Sequence, residues 1–152
     1  MSQFSWAKTV PLPPHEVFAV LSDTDKLQDW NPIMEEVEHV SDRPLMPGAA
    51  WIEKKKSPDG HGTYRAAVRV VEFDEGKTLS CMFESDRATV QRRYDLHPNE
   101  RGTRVSYTLR VAPRGWIRRF SGAFETALVR HEEGALSRFA TFIMRNRDPV
   151  DP

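Results

Sequence analysis

Apolar and polar residues alternate in short runs through most of this chain. Near the C-terminus they switch to a three/four spacing. Phe4, Trp6 and Val10 share one parity, which predicts a first strand with one buried face, interrupted by Lys8. Pro13 or Pro14 suits the first turn of a helix, where a missing N–H costs nothing. Val17, Phe18, Val20 and Leu21 supply that helix's apolar side. Asp25 with Gln28, or equally Thr24, can cap a second short helix, and Asn31-Pro32 stops it.

Strand-like segments follow at 35–41, 49–56, 62–73, 79–83, 88–97 and 103–111. The segment at 49–56 carries Trp51 and Ile52 and a charged end, Glu53-Lys54-Lys55-Lys56. Turn signals separate the later segments: Ser57-Pro58-Asp59-Gly60, Asp74-Glu75-Gly76-Lys77 and Asn99-Glu100-Arg101-Gly102. In the first of these, proline presets one dihedral angle and glycine supplies positive φ. Short strands joined by tight turns predict an antiparallel meander. Phe120, Phe124, Leu128, His131, Ala135, Phe139 and Phe142 or Ile143 then predict one long helix over 116–146. At 1.5 Å per residue it would be about 46 Å long, enough to cross a curved sheet. The order is β-α-α-β6-α, an α+β fold with its helices on one face.

The local pattern of residues 11–32 adds a resemblance. A strand ends at the proline pair, Val17-Phe18 and Leu21-Ser22-Asp23 follow, and the stretch closes with Trp30-Asn31-Pro32. This order, with the turn and strand start Gly102-Thr103-Arg104-Val105, resembles the START/Bet v 1-like (SRPBCC) superfamily, in particular its polyketide cyclase/dehydrase-like branch. The resemblance implies a helix-grip fold: a curved antiparallel sheet wrapped around a long C-terminal helix, with an internal ligand cavity between them. It also implies binding of a hydrophobic or aromatic small molecule. Members include polyketide aromatase/cyclases, lipid and sterol carriers, hormone-binding proteins and activators of a chaperone ATPase. Three roles are therefore open: small-molecule binding without chemistry, a cyclase or dehydratase, and a protein-interaction module.

Bulk properties narrow the partners. The 152 residues correspond to one domain, 1–152, large enough to fold without a metal or disulfide. Lys+Arg and Asp+Glu balance at 22 each, which argues against general nucleic-acid binding. Cys81 is the only cysteine, so no intramolecular disulfide or multi-cysteine zinc site is expected. The N-terminus does not read as a signal peptide, and no apolar run approaches the ~20 residues of a membrane span. A cytoplasmic protein is the expectation.

Candidate chemistry centres on two residues. Val90, Arg92, Tyr94 and Leu96 share one strand face. If that face is interior, Arg92 needs a partner: a carboxylate from another element, or an acidic or carbonyl group on a ligand. Alternatively, Arg92 lies near the sheet edge and reaches water. His131 falls within the helix stripe, either as a satisfied core residue or as a cavity-facing proton donor or acceptor. Glu132 and Glu133 are expected to face solvent.

Tyr64, Tyr94 and Tyr107 fall on apolar strand parities, as cavity wall or as ordinary core. Trp51 and Phe83 extend the candidate wall, as Phe124 and Leu128 do from the helix, and Cys81 reads as an inert buried thiol. Arg114, Arg118 and Arg119 beside Trp116 and Ile117 read as a solvated helix end or a basic corner for an anionic surface. Gly122 and Gly134 weaken the helix and allow a bend or close packing. The scattered histidines lack ligand spacing, no glycine-rich phosphate loop occurs, and no Gly-x-Ser-x-Gly elbow is present. No metal or cofactor is expected, and no residue is assigned as catalytic.

Overall fold

The computed structural model describes residues 2–39, 46–114 and 121–146. Strand β1 (Ser2–Val10) leads into helix α1 (Pro14–Leu21), with Pro14 at its start as the sequence predicts. A 3-10 turn at Thr24–Lys26 and the four-residue helix α2 (Leu27–Trp30) follow. Asp23 caps the 3-10 turn by accepting from the Asp25 N–H, a role the sequence reading gave to Thr24 or Asp25. Then come β2 (Met34–His39), β3 (Ala50–Lys56), β4 (Thr63–Asp74), β5 (Thr78–Glu84), β6 (Ala88–Asn99) and β7 (Gly102–Pro113). The last described elements are α3 (Ser121–Glu133) and α4 (Ala135–Arg145). The proposed basic corner at 116–119, and Phe120, lie outside the described residues, as does the end of the 35–41 strand.

All seven strands form one antiparallel sheet in the order β1-β7-β6-β5-β4-β3-β2. Strands β2 to β7 are a meander, and β1 closes the far edge against β7. The C-terminal helix packs into the concave face, giving the expected helix-grip α+β fold. Alternation places Val105, Tyr107, Leu109 and Val111 of β7 in the interior. They meet Phe124, Leu128, Phe139 and Ile143 from the helix in one hydrophobic cluster.

Two backbone devices shape the sheet. A register shift between Val70 and Glu72 breaks the alternation of β4. The extra residue brings Phe73, instead of Glu72, onto the side of Phe18 of α1, ring centroids 5.2 Å apart at 73°. At the other end, Gly102 has φ +129°, and a Cβ there would lie 2.2 Å from the Val10 carbonyl oxygen. Only glycine lets β1 pass that closely. Thr103 then donates its hydroxyl to the Leu12 carbonyl at 2.7 Å. The Gly102-Thr103 pair is therefore the joint between β7 and the chain leaving β1.

The single helix predicted over 116–146 is two segments. It breaks at Gly134, where the Arg138 guanidinium donates to the His131 carbonyl at 2.6 Å. A Cβ on residue 134 would lie 2.6 Å from Arg138 Nη1, so glycine leaves room for this arrangement.

Candidate functional site

Strand β6 is the third strand of the sheet from the β1 edge, and its inward parity carries Arg92 into the interior. Arg92 is 8% exposed and registers between Cys81 and Leu109. The sheet-edge alternative is therefore overturned. Its partner is Glu132, at 2.7 Å from Nη2. Tyr107 donates its hydroxyl to the other carboxylate oxygen, also at 2.7 Å. Glu132 is 2% exposed, so the expectation that it faces solvent is corrected. It lies four residues beyond Leu128 and eight beyond Phe124, on the same stripe.

Burial works against ionising Glu132, but Arg92, with His131 and the Tyr107 hydroxyl, holds its pKa below the usual carboxylate value. Burial likewise works against the Arg92 charge, and Glu132 more than compensates. Tyr107 is pushed well up by burial and by Glu132.

A second buried pair comes from β3. Glu53 and Lys55 share the parity of Trp51, and both point inward. Lys55 Nζ lies 3.0 Å from Glu53, and the Trp51 indole N–H donates to Glu53 at 2.9 Å. Phe83 lies between the two pairs. The Lys55 ammonium and the Arg92 guanidinium each lie 4.7 Å from its ring centroid. The sequence reading treated Glu53 and Lys55 as a charged strand end. The parity set by Trp51 was the signal that places them inside.

Beside these pairs is a cavity of about 40 Å³. One wall is Trp51, Glu53, Cys81, Phe83, Arg92 and Tyr94 from the sheet; the other runs from Leu21 through Leu27, Trp30 and Asn31 to Met34. The cavity therefore lies under the α1–α2 segment. Its lining includes no residue of the C-terminal helix, which the sequence reading expected to face the cavity. Two wall nitrogens, Trp30 Nε1 and Arg92 Nε, are buried and have no hydrogen-bond partner among the described residues. Burial pushes the Cys81 thiol up to about 12, consistent with an inert thiol, and pushes Tyr94 up as well.

Of the candidate residues, the structure brings Trp51, Phe83, Arg92 and Tyr94 to the cavity wall. Tyr107 stacks on Tyr94 with centroids 4.7 Å apart and is fully buried beneath Glu132. Phe124 and Leu128 are core residues. Tyr64 lies under the Arg87 guanidinium near the ends of two hairpins, 5.1 Å from ring centroid to Cζ. His131 is half-buried and pairs with Asn31, Nε2 to Oδ1 3.1 Å. Burial, reinforced by Arg138 and opposed by Glu132, lowers its pKa to about 4. The sequence reading missed Trp30, Glu53 and Glu132. Trp30 was legible only as part of a motif, with no face assigned.

The pattern defining the family described as polyketide cyclase / dehydrase and lipid transport matches residues 1–142. Among solved structures, the Zhui aromatase/cyclase from Streptomyces sp. R1128 superposes with a TM-score of 0.81 at 13% identity, covering 95% of this chain and 94% of that one. TTHA0849 from Thermus thermophilus gives 0.78 at 16% identity, covering 97% and 100%. Ara h 8.0201 gives 0.71 at 16% identity, covering 95% and 99%. At these identities the likeness is one of fold. No curated protein matches the sequence.

Proposed function

The chain belongs to the polyketide cyclase/dehydrase and lipid transport family, and from that membership we propose that it binds a hydrophobic or aromatic small molecule bearing an oxygen acceptor in the cavity under α2. The observation that carries this is the pair of donors on an otherwise largely apolar wall. Trp30 Nε1 and Arg92 Nε both lack a hydrogen-bond partner among the described residues. Leaving a buried donor unpaired costs about 1–3 kcal/mol, and a carbonyl or hydroxyl oxygen between the two would remove that cost. The rings of Trp51, Phe83 and Tyr94 would hold the apolar body.

Ligand pockets typically run to about 300–1,000 Å³, so a 40 Å³ cavity must widen on binding. The α2 wall is the side that can yield. It is a helix of four residues, joined to the C-terminal helices by the Asn31–His131 hydrogen bond and by an edge contact of Trp30 on Phe139, centroids 5.3 Å apart.

Binding without chemistry is favoured over a cyclase role by the setting of His131. Its Nε2 is engaged by Asn31, and it is not on the cavity wall. The test is a fluorescence titration with a planar aromatic ketone, on wild type and on Trp30→Phe. The substitution keeps an aromatic ring, smaller than the indole, and deletes the donor. Affinity should fall about fivefold to tenfold, the share of one hydrogen bond. If neither protein binds any aromatic ketone or alcohol while both stay folded, the reading is wrong.

A further inference from the structure

Trp30 has two environments. One side of the residue closes the cavity, and the other faces a surface groove of about 980 Å³ between α2 and α4. The groove carries three cations, Lys26, Arg138 and Arg145, against one carboxylate, Asp29. Arg138 is the innermost of the three. Its Nη2 is committed to the His131 carbonyl, but its Nε is buried with no hydrogen-bond partner among the described residues. Phe142 and Pro32 give the groove apolar stretches between the charged groups.

The cavity is too small for a hydrophobic body, and the side chain dividing it from the groove belongs to a helix of only four residues. A swing of Trp30 would join the two spaces. A molecule whose apolar part lies against Phe83 and Tyr94 would then have its other end among Lys26, Arg138 and Arg145. A neutral end would leave those charges as they are. An anionic end would gain from all three.

We infer that the molecule taken up is an amphiphile with an anionic end, a carboxylate or a phosphate ester, and that the groove between α2 and α4 is the seat of that end. The inference rests on the cavity reading above and extends it to the chemistry of the ligand's head.

The test compares one hydrocarbon chain with three heads: dodecanol, dodecanoate and dodecyl phosphate, below their aggregation limits, with inorganic phosphate as a chain-free control. The proteins are wild type and Lys26→Gln/Arg145→Gln, two exposed positions whose change leaves the core intact. For wild type at low salt, the favoured anion should bind about tenfold more tightly than the alcohol, and added salt should erase the difference. The double variant should cut the anions' advantage over the alcohol to the share left by Arg138, roughly twofold to threefold, and leave the alcohol unchanged within about twofold. Dodecanol should also compete with the anions, because one tail site serves all three.

Whichever of dodecanoate and dodecyl phosphate holds the advantage names the head. Equal binding of alcohol and anions, an unchanged ratio in the double variant, or non-competitive binding would each overturn the inference while leaving the cavity reading standing. Inorganic phosphate binding as tightly as dodecyl phosphate would overturn it too, as an adventitious ion only. Failure of all three chains to bind would overturn the inference as well, and the aromatic-ketone titration then decides separately whether the cavity reading stands.

Discussion

The interior has two polar ends that behave differently. Under α3, Glu132 faces Arg92 on one oxygen and the Tyr107 hydroxyl on the other, each at 2.7 Å, inside dense apolar packing. Under α2, Trp30 Nε1 and Arg92 Nε border a cavity with no hydrogen-bond partner among the described residues. Arg92 belongs to both ends. Its Nη2 locks the helix to the sheet, and its side chain still forms part of the cavity wall. Buried charge is thus paired where the fold must be rigid, with Glu132 Oε1 held by the Arg92 charge and not by an aligned hydrogen bond, and donors are left without any partner where a small, weakly held helix can move. A satisfied network specifies one arrangement, whereas an open donor is a cost that a ligand can remove.

The largest effect should come from breaking the closed end. Glu132→Ala leaves a buried guanidinium uncompensated and should lower stability by about 3–5 kcal/mol in urea unfolding. The double variant Arg92→Met/Glu132→Leu should lose clearly less than the two single changes added together, since it removes both charges. A loss under about 1 kcal/mol for Glu132→Ala would erase the contrast between the ends.

A pair of tryptophan changes sharpens the contrast. Trp51→Phe deletes the 2.9 Å hydrogen bond to Glu53 and should cost about 1–3 kcal/mol. Trp30→Phe loses similar ring volume but a donor that has no partner, so its cost should be clearly smaller than that of Trp51→Phe. Equal losses at the two positions would mean that the α2 end is as fully bonded as the sheet.

Acid should separate the ends as well. His131 is held neutral, with its pKa lowered from 6.5 to about 4, so its contribution is present above 6.5 and is lost as the pH falls toward 4. The groups facing it are Glu132, Arg138, Arg92, Lys55 and Asn31. Glu132 has a lowered carboxylate pKa, so its contribution persists until the pH falls below the ordinary value of 4.5 and through its lower folded value. Hydrogen-exchange protection of α2, taken relative to the intrinsic rate at each pH, should therefore fall between pH 6.5 and 4, before that of β6 does. In His131→Gln that earlier step should be absent. Simultaneous loosening of both ends would break the distinction.

The smallest effect concerns the break at Gly134. Gly134→Ala would push a Cβ to within 2.6 Å of Arg138 Nη1, at the end of a flexible side chain that can withdraw. Global stability should change by no more than about 1 kcal/mol, helix propensity offsetting the lost contact. The probe of the comparison is α2: its exchange should quicken, since Arg138 would leave the His131 carbonyl. No change in α2 exchange would uncouple the break from the Asn31–His131 contact.

Much of this was legible in the chain. Alternation in 88–97 and 103–111 announced β6 and β7 and the face that Arg92 shares with Val90, Tyr94 and Leu96, leaving open whether that face was interior. The requirement that a buried Arg92 find a carboxylate was also readable, but its identity was not. Leu128 has neighbours on its face at both three and four residues, and a glutamate at one of them looks like solvent until an arginine stands opposite. Glu53 and Lys55 could have been placed inside from the parity of Trp51, had charge not been allowed to outweigh register.

Local pattern and turn chemistry determined the strands, the short helices at 14–30 and the turn at 99–102, because these depend on neighbours in sequence. Tertiary structure alone decided that Glu132 pairs with Arg92, that one added residue after Val70 places Phe73 on the Phe18 side, and that Trp30 divides a cavity from a groove. Each of these depends on groups far apart in the chain whose distance no periodicity encodes, and in a low-dielectric interior that distance sets whether a charge or a donor is satisfied.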